Sequence, residues 1–96
     1  MLDKVSDNDR FPRTLQQLKK LIAQGEIQFP PQLERVVKRM LEEPDLIAFE
    51  SAATVAKECS VSQTTVTRLS VHLGLRTFRN LKKLCEHHVR RRFNHL

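Results

Sequence analysis

The sequence predicts an all-α fold, a helix-turn-helix bundle of about five to six helices. Three observations carry that expectation. The 96 residues include only 2 Gly and few β-branched runs, which leaves little material for sheets or hairpins. Apolar residues recur with helical spacing, most clearly at Leu33, Val36, Val37, Met40 and Leu41, positions i, i+3, i+4, i+7 and i+8. Residues 52–73, AATVAKECSVSQTTVTRLSVHL, read as two short helices, 52–59 and 62–73, joined by a tight turn.

Taken in order, residues 1–11 are polar and acidic, with Asp3, Asp7, Asn8 and Asp9, and are expected to be a flexible N-terminus. A single domain then spans 12–96. Pro12 suits the first position of a helix running to about Gln24, with Leu15, Leu18, Leu21 and Ile22 on one side and Gly25 as its stop. Pro30 and Pro31 open a second helix, from Gln32 to about Glu43, which Pro44 ends. Asp45 can cap a short third helix over 46–49, whose apolar residues should roof the core.

Ser51 is an N-cap for the first helix of the motif, and Ser62 for the second. Val55, Ala56, Cys59, Val61, Val66, Leu69 and Leu73 point inward, and the small Ala56 permits close approach where two helices cross. Gly74 supplies a left-handed stop. A final helix from about Thr77 towards Phe93 has Phe78, Leu81, Cys85 and Val89 as its inner stripe.

The charge is uneven. Residues 1–50 carry a net −1 and residues 51–96 a net +7, within a total of +6. The basic half contains the two-helix motif, as a phosphate-binding surface requires. No 18-residue apolar run exists to span a membrane, and the N-terminus is unlike a secretory signal, so a cytoplasmic protein is expected. Cys59 and Cys85 read as reduced, buried thiols.

The outer face of helix 62–73 bears on function. Thr64, Thr67, Arg68 and Val71 point away from the apolar stripe, Gln63 lies at the flank, and no acid falls between Cys59 and Leu84. Gln pairs bidentately with adenine, Thr bonds to bases or packs on a thymine methyl, and Arg reads guanine or clamps phosphate. On the last helix, Arg79, Lys83 and Arg90 line one outer side, with Arg76 just before and Lys82 nearby. Such a face suits double-stranded DNA, but it is equally that of an ordinary solvated helix, and a basic half alone would equally suit RNA or an anionic membrane surface.

Phe29-Pro30-Pro31-Gln32-Leu33, Met40-Leu41-Glu42-Glu43-Pro44, Ala56, the run Val61-Ser62-Gln63-Thr64-Thr65-Val66-Thr67-Arg68-Leu69, then Leu73-Gly74-Leu75 and Phe78 resemble the N-terminal domain of RpiR-type bacterial transcriptional regulators. The resemblance covers roughly residues 14–90. It implies a sequence-specific DNA-binding domain of a regulator of sugar metabolism, acting as a homodimer. The motif falls on residues 52–71, with Ser62, Gln63, Thr64, Thr65, Thr67 and Arg68 as contacts. Within that pattern Gln63, Thr64 and Thr67 meet base edges, Thr65 and Arg68 serve the rim, and Arg79 and Lys83 touch the backbone. Two departures stand out. The turn position that is commonly Gly is Ser60 here. The C-terminal sugar-isomerase-like domain that senses phosphosugars in such regulators is not in this chain; the run Arg90–Leu96 reads as an interrupted helix, so a fragment is expected.

Other readings are weaker. Cys85 and His88 share a helix face, but His87, His88, His95 and Cys85 lack a matching ligand pair elsewhere, so no metal or other cofactor is expected. With only Gly25 and Gly74 there is no phosphate-binding loop, no motif frames a nucleophile, and no enzyme is expected. The competing class is a helical protein-interaction module whose basic C-terminal half binds an acidic partner.

Overall fold

The computed structural model describes residues 12–94, with six helices in that span: α1 Leu15–Ala23, α2 Pro31–Glu42, α3 Pro44–Phe49, α4 Ala52–Cys59, α5 Gln63–His72 and α6 Phe78–Asn94. The expected flexible N-terminus over 1–11 lies outside the described residues. The described residues hold no strand, in keeping with the all-α expectation. None of the described helices is long and apolar enough to cross a membrane.

Local chemistry sets the helix ends. α1 begins three residues after the expected position, at Leu15 rather than Pro12. Pro12 is buried ahead of the helix, and Thr14 caps it instead, its Oγ1 accepting from the Gln17 N–H at 3.0 Å. Gln17 answers by accepting from the Arg13 N–H at 2.7 Å, so two free donors are satisfied by one pair of residues. Gly25, at φ +74°, closes α1 with the Glu26 N–H bonded to the Leu21 carbonyl. Pro31 opens α2 as its first residue.

Pro44 also opens a helix, which corrects the expectation that Asp45 caps α3. Glu43 occupies the cap position without a side-chain bond, and Asp45 sits exposed in the first turn. Proline suits this place because its fixed φ is helical and its missing N–H would be unpaired there anyway. A second correction concerns Phe49. It was expected over the core and is 63 % exposed. Pro44, Ile47 and Ala48 make the buried face of this six-residue helix. At roughly 100° per residue, Phe49 points away from that face.

The core gathers Leu15 and Leu18 from α1, Leu33, Val36, Val37 and Met40 from α2, and Ile47 and Ala48 from α3. Val55, Ala56 and Cys59 of α4 join Val66, Leu69 and Leu73 of the next segment and Leu81, Leu84, Cys85 and Val89 of α6. Leu84 widens the inner stripe expected for α6, while Phe78, Leu75 and Val61 pack only half-buried at its margin. α6 lies against α3 along the most extensive helix pair, and α5 is held by α2, α4 and α6. Lys82 reinforces the first pairing. Its ammonium donates to the Glu50 carbonyl at 2.9 Å and approaches the Ile47 carbonyl at 3.4 Å, at the negative end of α3. Its Nζ also stands 5.6 Å from the Phe78 ring centre.

Candidate nucleic-acid interface

The interface is built on the α4–turn–α5 unit. Ser51 caps α4, its Oγ accepting from the Thr54 N–H at 3.1 Å. The chain then reverses at Ser60, which adopts φ 58°, ψ 44°. The Val61 N–H bonds to the Ala56 carbonyl and the Ser60 N–H to the Lys57 carbonyl, the paired bonds of a left-handed helix stop. Ser62 starts α5 by accepting from the Thr65 N–H at 3.1 Å.

Two arginines of α2 hold this turn. The Arg35 guanidinium reaches the Ser60 carbonyl at 3.4 Å. Arg39 donates to the Glu58 carbonyl and carboxylate, both at 3.2 Å, and pairs with Glu43 just past the end of its own helix. The hydrogen bond with Glu43 and the nearby acids raise the Arg39 pKa above its ordinary value, burial opposing them. At the other end of α5, His72 Nε2 lies 2.8 Å from the Gln28 carbonyl, so that nitrogen carries the proton and donates. The ring also packs against Phe29, with centroids 5.1 Å apart. Both ends of α5 are therefore tied to segments outside the motif.

The resulting helix has two unlike sides. Val66, Leu69 and Ser70 are buried, with Leu73 immediately beyond. Gln63, Thr64, Thr67, Arg68 and Val71 are exposed, Val71 at 60 %. Four of the expected contact residues, Gln63, Thr64, Thr67 and Arg68, thus share one solvent-facing side. Thr65 does not join them. It was expected at the rim, yet it is 6 % exposed, with its hydroxyl 3.0 Å from that of Ser62. Its role in the structure is to complete the cap.

Arg79 and Lys83 lie exposed on α6, a separate helix, together with Arg90. Lys82 differs from these in being committed to the end of α3. Arg35, Arg39, His72 and Lys82 were not read from the sequence as anchors. The Arg39–Glu43 spacing of four residues was a visible signal, whereas the partners of Arg35, His72 and Lys82 are 25 to 44 residues away.

Chemistry elsewhere is quiet. Burial pushes the Cys85 thiol up to about 12, and raises Cys59 too, so both are protonated, poor nucleophiles at neutral pH. Among the described residues no three His, Cys, Asp or Glu side chains converge as a metal site requires.

No curated protein and no solved structure matches the chain. A family model does: the helix-turn-helix domain of the rpiR family matches residues 16–89, most of the sequence and all of α4, the turn and α5. The chain therefore belongs to the rpiR family of helix-turn-helix domains, a DNA-binding class of transcription regulators.

Proposed function

We propose that α5 enters the major groove of double-stranded DNA and reads its sequence there. The observation that carries this reading is the exposed side of α5, where an amide, two hydroxyls, a valine and a guanidinium lie together with no acid between Cys59 and Leu84. Gln63 and Thr64 sit at the N-terminal end of the helix, where such helices commonly address base edges, with Thr67 one turn on. Val71 adds an apolar surface suited to a thymine methyl, and Arg68 serves guanine or phosphate. Ser62 stands at the rim, its hydroxyl engaged mainly in the cap. Arg79 and Lys83 supply backbone contacts.

The domain works as a cytoplasmic homodimer on a pseudo-palindromic site, with recognition helices about 34 Å apart. Family membership supports control of sugar-metabolism genes. The phosphosugar effector of such a regulator would act through a domain that these 96 residues do not include.

Selection of bound duplexes from a random pool at near-physiological salt tests the reading. Enrichment of a two-fold symmetric site supports it; no enriched sequence overturns it. On the selected duplex, Arg68→Ala should cost about 1–3 kcal/mol if it reads a guanine. If roughly five phosphates are neutralised, the log–log salt slope should be about −4 to −5. A slope near zero, or Arg68→Ala binding like the parent, contradicts the contact assignment and favours a protein partner for the basic half.

A further inference from the structure

We propose that the outer seam of α2 joins two copies of this chain, one α2 running antiparallel to the other about a two-fold axis level with Val36. This deepens the dimer reading above and rests on that reading for its use on DNA. Pro31, Glu34, Lys38 and Leu41 line one groove together with Ile22, Phe29, Val37 and Arg35, the last of which is directed to the Ser60 carbonyl. The first three are exposed and Leu41 is half-buried. Their spacing of three, four and three residues makes a single stripe along a helix.

The order of residues in that stripe selects the occupant. Positions 34 and 38 are centred on residue 36, and so are positions 31 and 41. An antiparallel copy therefore sets each Glu34 against the partner's Lys38, and each Pro31 against the partner's Leu41. Opposite charges meet in the middle and apolar side chains meet at both ends. A parallel copy would oppose Glu34 to Glu34 and Lys38 to Lys38, which like-charge repulsion disfavours. The surface is complementary to itself under a two-fold rotation, as a closed symmetric pair demands. Its position also suits a reader of two half-sites. Phe29 packs on His72, the last residue of α5, so an axis through this groove lies beside both recognition helices.

The same Glu34 and Lys38 can also pair within one helix, four residues apart. Charge exchange separates the two uses. Sedimentation equilibrium of the 96-residue chain without DNA is measured for the parent, E34K, K38E and E34K/K38E, with circular dichroism confirming the helical fold of each. The parent should dimerise. E34K and K38E, each facing two like-charge pairs across the axis, should self-associate about tenfold more weakly, the difference shrinking in high salt.

An equimolar mixture of E34K and K38E should recover the parental affinity, and so should E34K/K38E alone. An intrahelical role predicts no recovery on mixing. A monomeric parent at hundreds of micromolar, parental dimerisation by both single variants, or a mixture that stays dissociated overturns the proposal. A parent that pairs in this way yet binds no selected duplex fails the DNA reading and leaves the surface standing. A monomer that binds single half-sites does the reverse.

Discussion

Ser60→Gly should stabilise the domain while leaving its fold intact. Ser60 holds φ 58°, ψ 44° at the reversal between α4 and α5. A side chain bearing Cβ is strained there by roughly 1–2 kcal/mol, through the approach of Cβ to the following carbonyl. Glycine removes that strain but loses about 0.5–1 kcal/mol more chain entropy on folding. The Ser60 groups with partners are backbone atoms, the N–H bonded to Lys57 and the carbonyl to Arg35, and both survive the change. The net expectation is a gain of about 0.5–1 kcal/mol, or a rise in Tm of roughly 2–8 °C for a domain of this size. Urea and thermal unfolding of parent, Ser60→Gly and Ser60→Val measure it. The β-branched valine is worse suited to this conformation and should fall below serine. An order with valine at or above glycine would refute the left-handed turn, and with it the angle at which α5 leaves α4.

Three further outcomes follow from the same geometry. Ser62→Ala should cost about 1 kcal/mol in unfolding, because the Thr65 N–H loses its acceptor and the buried Thr65 hydroxyl its neighbour. Ser70→Ala should be neutral or stabilising, by up to about 1 kcal/mol, since Ser70 is 0 % exposed and its hydroxyl has no partner among the described residues; a loss above that size in urea melts would show a bond there. His88 has its pKa lowered from 6.5, first by burial and then by Lys19, Arg92 and Arg91, with Asp45 opposing. The unfolded chain therefore takes up this proton first as pH falls. Stability from this group is whole above about pH 6.5 and declines as pH drops from there through the lowered value. His88→Gln should flatten that part of the urea-midpoint profile, and an unchanged profile would refute the assignment.

The parts of the fold legible in the sequence were those decided by near neighbours. Ser51, Ser62, Gly25, Gly74 and Pro31 act on backbone groups within about five positions, so their chemistry marks helix ends directly. Competition between two local signals was harder to read. Pro12 and Thr14 both suit a helix start, and the hydroxyl cap prevailed; Pro44 and Asp45 competed likewise, and the proline prevailed. The width of the buried face on α5 was not legible. Thr65 and Ser70 each stand roughly 70° from the centre of the stripe formed by Val66, Leu69 and Leu73, on opposite flanks. Whether a flank is wet depends on how many helices surround it. Here α2, α4 and α6 all pack on α5, so both flanks are covered and one expected contact residue went inside.

That enclosure bears on how so small a domain keeps a reading face free. A helix of ten residues is marginal by itself, and its position must be fixed by others. In this chain the polar ties come from outside the face. Arg35 and Arg39 of α2 grip the carbonyls around the turn, and the Gln28 carbonyl accepts a hydrogen bond from His72 Nε2 at the far end. None of Gln63, Thr64, Thr67 and Arg68 is used to hold α5 in place by any of those bonds. Mutations in the two groups should therefore separate. Loss of Arg39 should weaken every duplex alike, by loosening the angle of α5, whereas loss of Gln63 or Thr67 should alter which sequence is preferred while leaving the unfolding midpoint unchanged. A preference shift from Arg39→Ala, or a large loss of stability from Gln63→Ala, would show that anchoring and reading are not divided as the bonds imply.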